Sequence, residues 1–220
     1  MTRSPAAGRR RRPTAQGTVL SRELIIDRAL HLLRVRGSEA LTARKLASVL
    51  GADPSALYRH FASMDDLVLA VGDRIIGEAL ARWHPQSNWQ ESLAALARSF
   101  YHAYVDDFPA AARLVAHRST RGENEQRAVE TISLLLREGG FDVRAAYART
   151  AALVDLVLGF ASLDAGFARL PLAQQQRDAV AWTAYGGGTA DPWESSFEVA
   201  LAIMLRGLRS DPRPGSTSGG

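Results

Sequence analysis

Cysteine is absent from this 220-residue chain, which excludes disulfides, thiolate metal sites and a cysteine nucleophile. No run of about 18 uninterrupted apolar residues occurs either, and this argues against a membrane span. The arginines near the start precede no apolar stretch of the kind that a secretory signal contains. The expected location is therefore the cytoplasm.

Recognisable catalytic and metal-binding motifs are also missing. The histidines show no HExxH-type spacing, and the sequence contains no GxSxG, no GxxxxGK[ST] and no GxGxxG. The adjacent carboxylates Asp106 and Asp107 are typical of a helix end rather than of a catalytic pair. The sequence predicts a protein that is not an enzyme and that uses no metal or cofactor. A helical enzyme with a basic edge is the rival interpretation, and no constellation of side chains favours it.

Lysine is nearly absent as well, since Lys45 stands alone beside 26 arginines, and the positive charge is unevenly spread. Residues 1–60 contain twelve basic and four acidic side chains, whereas the rest of the chain contains fifteen basic and nineteen acidic ones. A basic front end on an acidic body indicates that the front end meets a polyanion.

Helical periodicity is what the sequence does contain, and no segment alternates with a period of two. Apolar side chains recur at helical spacing in seven segments and again in a final helix around Phe197 and Leu208. The seven predicted helices cover residues 22–36, 42–50, 54–61, 64–83, 87–105, 124–137 and 143–169. Ser21, Asp53 and Ser63 are the predicted N-caps of the first, third and fourth. The predicted fold class is all-α.

Both ends of the chain are expected to be disordered. Residues 1–20 carry the run Arg9–Arg12 with almost nothing to bury, and residues 210–220 are rich in proline, glycine and serine. The arginine run could enter a minor groove, as basic arms do. The alternative is a solvated tail that adds nonspecific affinity, and the composition favours the tail.

Residues 42–61, TARKLASVLGADPSALYRHF, have the form of a helix-turn-helix with the turn centred on Gly51. In such a unit the second helix lies in the major groove and the first crosses the backbone. Two short helices joined by glycine also occur in proteins that never touch DNA, and an aromatic such as Tyr58 can be half core. The excess positive charge nearby favours DNA binding.

The side chains of this motif suit DNA. Ser55 could bond a base edge and Ala56 could touch a thymine methyl. Tyr58, Arg59 and His60 suit phosphates, which fix register without specifying sequence. The amides at the start of the first helix could assist further phosphate contacts. The predicted DNA-binding residues are Thr42, Arg44, Lys45, Pro54, Ser55, Ala56, Tyr58, Arg59 and His60.

Residues 22–71 resemble the N-terminal domain of the TetR family of bacterial repressors. The most specific match is the string ALYRHF, residues 56–61, directly before a capped helix. The other matching positions are Ile25, Ile26, Ala29, Leu32, Leu33, Gly37, Leu41, Thr42, Leu46, Ala47, Leu50, Gly51, Asp66 and Leu67. The resemblance implies that Thr42, Tyr58 and His60 contact phosphates, while residues 54–56 and Arg59 contact bases. Asp53 and Met64 depart from the family, which often has serine and lysine at these positions.

Beyond residue 71 the resemblance implies only a general plan. It divides the chain into a helix-turn-helix domain, 21–66, and a helical ligand-binding and dimerisation domain, 67–209. The pocket candidates are the aromatics Phe100, Tyr104 and Phe160, with His117 and Asp164 as polar anchors, and aromatics of this kind are also typical of an ordinary core. The candidates for the interface between two copies are Leu153, Val157, Phe197, Leu201, Met204 and Leu205.

The expected function is that of a homodimeric repressor which a small molecule releases from a palindromic operator on double-stranded DNA. The fourth helix, shared by both domains, is the expected lever. The alternative is a ligand-independent regulator whose C-terminal domain binds a protein partner.

Overall fold

The computed structural model describes residues 19–109, 111, 122–167, 170–184 and 194–210. Three features of the sequence analysis lie outside the described residues. They are the Arg9–Arg12 run, His117 and the tail after residue 210.

The described residues form nine α-helices, which confirms the all-α prediction. In chain order these are α1 Arg22–Arg36, α2 Ala43–Val49, α3 Pro54–Leu57, α4 Met64–Arg82, α5 Trp89–His102, α6 Glu123–Glu138, α7 Val143–Phe167, α8 Leu172–Ala184 and α9 Glu194–Ser210. A 3₁₀ turn, Ser38–Ala40, precedes α2, and a turn of π-helix, Ala103–Asp107, continues α5.

The helices of the first third begin at side chains that cap them from the preceding position. Ser21 Oγ accepts from the Leu24 amide at 3.1 Å, and Asp53 Oδ1 accepts from the Ser55 amide at 2.8 Å. Ser63 Oγ accepts from the Asp66 amide at 3.0 Å. The three predicted caps are therefore confirmed, and each satisfies a helix-terminal N–H that has no partner within its helix.

The structure differs from the prediction in two helix boundaries and in one additional helix. Helix α3 ends at Leu57 rather than near Phe61, because the Arg59 and His60 amides reach back only three residues and form tight turns. Helix α5 is capped by Asn88 rather than Ser87. Helix α8 was not predicted, since the polar run 174–178 interrupts its apolar residues and leaves no clear helical period.

Helix α4 joins the two ends of the molecule. It packs against α1 on one side and against α5, α6 and the π turn on the other. Arg74 of α4 bonds Asp27 of α1 at 3.0 Å. Beyond the Trp83 cap, helices α5–α9 make up what we call the C-terminal bundle. Its core includes Leu96, Ile132 and Phe197, all fully buried.

The segment Val143–Gly166 of α7 is long and apolar enough to cross a membrane, by length and composition alone, with a mean hydropathy of 1.3. In the structure α7 instead packs against α5, α6 and α9. Only 28% of its apolar window is buried inside the chain. Much of the helix surface is therefore still open to other contacts.

Candidate functional site

The helix-turn-helix presents its polar side chains outward on a tightly packed base. Leu46 and Leu57 are fully buried beneath it, and Gly51 forms the turn with a φ of 60°, in the left-handed region that favours glycine. Tyr58 is 50% exposed and Arg59 is exposed beside it. The second helix is therefore fixed from below while its outer face stays open.

The first helix of the motif presents a second row of polar groups. Thr42, Arg44 and Lys45 are all exposed. Thr42 Oγ1 caps α2 by accepting from the Lys45 amide at 3.3 Å, which leaves its hydroxyl proton for an external acceptor. Lys45 Nζ donates to the Glu39 carbonyl at 3.0 Å. Neither Arg44 nor Arg59 has an ion-pair partner among the described residues.

Ala56 does not lie where the prediction put it. Its side chain is only 8% exposed and packs into the core with Leu57. The short α3 turns this position inward, so the prediction that Ala56 contacts a thymine methyl is wrong. Ser55 is exposed, and Pro54 and His60 are half-buried.

Asp53 places a negative charge at the start of the recognition helix. Hydrogen bonds from the Ser55 side chain and amide lower the pKa of this exposed carboxyl. The group therefore stays ionised at neutral pH and would face the phosphates of any bound DNA.

Arg22 holds the end of the motif in place. Its Nη1 donates to the His60 carbonyl at 2.8 Å, and its guanidinium lies 4.1 Å from the centroid of the Phe61 ring. Its other nitrogen is 3.5 Å from Asp66 of α4. Helices α1 and α4 thereby fix the orientation of the recognition helix.

The second candidate site is a cavity of about 270 Å³ between α4, the α5 end, α6 and α7. Its walls are mainly apolar, with Phe100 and Ile132 among the lining residues. The polar residues on the walls are Tyr104, Glu125, Tyr147, Thr150 and Asp155. The cavity opens toward solvent where Tyr147, 72% exposed, lies on α7.

Two of the predicted pocket residues, Phe100 and Tyr104, line this cavity. The other two that the structure describes do not. Asp164 accepts a hydrogen bond from the Tyr101 hydroxyl at 2.5 Å, and Phe160 packs edge-on against Phe197. Both belong to the contact between α5, α7 and α9, so their assignment to the pocket is corrected.

The prediction missed the acidic and hydroxyl side chains on α6 and α7. Tyr147 and Asp155 lie two helical turns apart on α7, so they share one face of the helix. That polar interruption of an apolar helix was a usable signal. Glu125 carried no comparable signal, because its position depends on how α6 meets α4.

The residues predicted to face a second copy are mostly internal. Leu153, Val157, Phe197 and Leu201 are each 3% exposed or less, and the first two line the cavity. A helix of a second copy cannot reach them, so the prediction that these four residues form the dimer interface is wrong. Met204 and Leu205 are half-buried at the edge of the same core.

Asp73 of α4 caps the helix that forms one cavity wall. Its Oδ1 accepts from the Glu125 amide at 2.9 Å and its Oδ2 accepts from Asn124 Nδ2 at 3.0 Å. The cap position of α6 is Gly122, where a Cβ would lie 2.1 Å from Asp73 Oδ1. The absent side chain lets α4 approach, and we call this contact the α4–α6 clasp.

An exposed helix-turn-helix, joined by one shared helix to a helical bundle that holds a cavity, defines the class of helix-turn-helix regulatory proteins. Comparison with known proteins agrees with this class. Residues 25–71 match the model of bacterial regulatory proteins of the tetR family, and residues 84–211 match the tetracyclin repressor-like C-terminal domain. The second match alone covers more than half of the chain. The chain belongs to the TetR family.

This chain matches just under two thirds of the length of the first curated relatives and nearly the whole length of similar solved structures. The class D tetracycline repressor protein of Escherichia coli is 35% identical over 147 residues, which are 64% of this chain and 64% of that protein. A solved structure of a possible TetR family transcriptional regulator from Streptomyces coelicolor A3(2) is 27% identical, with a TM-score of 0.74 over 86% of this chain and 98% of that one. The Q116A variant of TetR from Acinetobacter baumannii AYE, solved in complex with minocycline, is also 27% identical, with a TM-score of 0.67 over 86% and 97%.

Proposed function

We propose that this protein is a transcriptional regulator that binds an operator through residues 21–66 and is released when a small molecule enters the cavity within residues 67–209. The observation that carries the proposal is the exposure of two guanidiniums, Arg44 and Arg59, on the outer face of the helix-turn-helix, neither of which forms an ion pair within the described part of the chain. Exposed arginines on such a motif suit both phosphates and guanine edges. Its place of action is the cytoplasm, and no catalytic step is involved.

The cavity supports the sensing half of the proposal. A concave, mainly apolar site with a few polar groups is the usual form of a small-molecule site. The similar Q116A variant of TetR from A. baumannii AYE was solved in complex with minocycline. The rival regulator that senses a protein partner has no need of such an internal space.

A route joins the cavity to the DNA-binding face. The α4–α6 clasp connects the cavity wall to α4, and Arg74 connects α4 to Asp27 of α1. At the other end of α4, Asp66 pairs with Arg22, which also holds the His60 carbonyl. A shift of α6 is therefore passed through charged contacts to the recognition helix. The ligand need only bind one arrangement better, by about 5.5 kcal/mol for a shift from 99:1 to 1:99.

In this proposal the protein that binds DNA is a homodimer, which would place two recognition helices about 34–36 Å apart on a palindromic operator. Support comes from exposed apolar or small side chains on α7 and α9. They are Ala152, Gly159, Leu163, Val199 and Ile203, with Leu156 half-buried among them. Sedimentation equilibrium of the free protein tests this, and a monomer at the concentrations used for DNA binding would overturn it.

The DNA-binding half is tested by fluorescence anisotropy on a promoter fragment from the gene's own neighbourhood, across a salt series. Arg59→Ala is expected to weaken binding about tenfold or more. If Arg59 contacts a base, sequence preference relaxes; if it contacts a phosphate, the salt dependence falls by about one ion. Arg137 on α6 is also exposed, so Arg137→Ala is the matched control and should bind like the unmodified chain. Equal binding by both variants would contradict the assignment of this helix.

A further inference from the structure

The π turn at the end of α5 touches both the cavity and the DNA-binding domain. Tyr104 of this turn lines the cavity and is 3% exposed. Further along the same turn, Asp107 contacts α1 and α4. We propose that the π turn is a second coupling element between the cavity and the helix-turn-helix, and that Arg34 is the positioning residue through which it holds α1. This inference rests on the proposed function, since it concerns how the same cavity controls DNA binding.

Two arginines bind the end of the π turn. Arg34 lies in the last turn of α1, where its Nε donates to the Asp107 carbonyl at 3.4 Å. Its guanidinium also lies 4.7 Å from the centroid of the buried Phe108 ring. Arg82 lies in the last turn of α4, and its Nη1 donates to the Asp107 carboxylate at 2.5 Å. We call these contacts the π-turn grip, and they join α1 to the cavity wall without involving the α4–α6 clasp.

The π turn has an α-helical alternative close at hand. Turns of π-helix are rare, and they occur frequently at functional sites. Here the Phe108 amide bonds the Ala103 carbonyl, five residues earlier, at 3.0 Å. An α-helical continuation of α5 would bond this amide to Tyr104 instead, and each residue of shift turns a helix by about 100°. Asp107 and Phe108 would then leave Arg34, so the π-turn grip stabilises one of two discrete arrangements of the turn.

Helix α1 carries the effect of the grip to the recognition helix. Arg22 lies about 18 Å from Arg34 along the same helix, and its Nη1 donates to the His60 carbonyl at 2.8 Å. Because α1 is one continuous helix, fixing its C-terminal end also fixes the direction of its other end. The Tyr104 ring holds the cavity side of the turn, so a ligand that displaces this ring destabilises the π arrangement. Loss of the grip then leaves α1 free to reorient, which weakens DNA binding.

The test is deuterium exchange at residues 103–108 of the full-length chain, followed by NMR, with and without saturating promoter DNA. Coupling between two sites is reciprocal, so DNA that binds better when the grip is intact must in turn stabilise the π turn. The Phe108 amide should therefore exchange about fivefold more slowly, or slower still, when DNA is bound. In Arg34→Ala this slowing should be lost even at DNA concentrations that saturate the variant.

The matched control is Arg36→Ala, because Arg36 is also an exposed arginine in the last turn of α1. This variant should keep the slowing at Phe108. Arg82→Ala removes the bond to the Asp107 carboxylate and should reduce the slowing. Arg34→Ala should also keep the salt dependence of DNA binding, since its guanidinium contacts the π turn rather than a phosphate. A salt dependence that falls by about one ion would place Arg34 on the DNA and overturn the inference.

The remaining outcomes separate this inference from the proposed function. If DNA binds but exchange at residues 103–108 does not change, the π turn is not coupled to the DNA-binding face, and the DNA-binding function stands. Equal slowing in Arg34→Ala and in the unmodified chain would mean that DNA stabilises the turn without Arg34, which also overturns the inference alone. If the unmodified chain bound DNA of no sequence, the proposed function and the inference would both be wrong.

Discussion

The helix-turn-helix and the C-terminal bundle are both helical, yet they organise their polar contacts over very different distances along the chain. In the motif, Asp53 bonds Ser55 and Thr42 bonds Lys45, two and three residues away. In the bundle, Tyr101 bonds Asp164, 63 residues away, and Arg98 bonds Glu198, 100 residues away. Local caps, together with the contact of Arg22 with the His60 carbonyl 38 residues away, fix the DNA-binding surface. The bundle instead depends on contacts between helices that lie far apart in the chain.

Packing differs between the two regions in the same way. The helix-turn-helix is filled by Leu46, Leu57 and Phe61, each at most 3% exposed. The bundle surrounds a cavity of about 270 Å³. A wall that borders a void has fewer contacts to lose and more room to relax, as a helix that moves on ligand binding requires.

A matched pair of leucines gives the largest expected effect. Leu57 in the motif and Leu153 on the cavity wall are both 2% exposed. Leu57→Ala should lower the free energy of unfolding by about 2–4 kcal/mol, and Leu153→Ala by about 1 kcal/mol less, because part of its surroundings is already empty. Urea denaturation at one protein concentration measures both. Equal losses would contradict the contrast in packing.

The same contrast between local and long-range contacts explains which features the sequence predicted correctly. The caps and the recognition surface depend on neighbours within a few residues, so spacing and residue type sufficed for Ser21, Asp53 and Ser63. Ala56 was misplaced because a helix of one turn has no periodicity from which to tell its faces apart.

The bundle was predicted less well because helical periodicity finds a buried face but does not say which helix covers it. Leu153 and Phe197 were recognised as apolar and assigned to a partner, whereas α5, α7 and α9 bury them within one chain. Glu125 reaches the cavity through contacts with Asp73, which lies 52 residues earlier. Asp164 has the residue type of a pocket anchor, but Tyr101 already binds it.

A substitution in the α4–α6 clasp tests the role of long-range contacts, and its expected effect is smaller. Asp73→Ala should cost about 1 kcal/mol, the usual value of a helix cap, and lower the melting temperature by about 2–4 °C. The amides of residues 123–126 should then exchange faster with deuterium, because Asp73 no longer accepts from the Glu125 amide. Asp73→Asn keeps an acceptor oxygen, so its melting temperature and exchange rates should lie between those of the unmodified chain and of Asp73→Ala. Unchanged exchange in Asp73→Ala would mean that α4 does not hold the α6 terminus.

The smallest expected effect concerns a local contact, at Asp53. Serine can cap α3 as aspartate does, so Asp53→Ser should leave the melting temperature nearly unchanged. It removes a carboxylate whose pKa is lowered by its bonds to Ser55 and which therefore stays charged at the start of α3, the predicted recognition helix. Affinity for DNA of any sequence should rise about two- to threefold at low salt, and the gain should shrink as salt screens the repulsion. Asp142→Ser makes the matched change at the cap of α7, where Oδ1 accepts from the Ala145 amide at 2.8 Å, and should leave DNA affinity as it is. If both variants raised the affinity equally, the gain would come from net charge alone, and the position of Asp53 at the recognition helix would not matter.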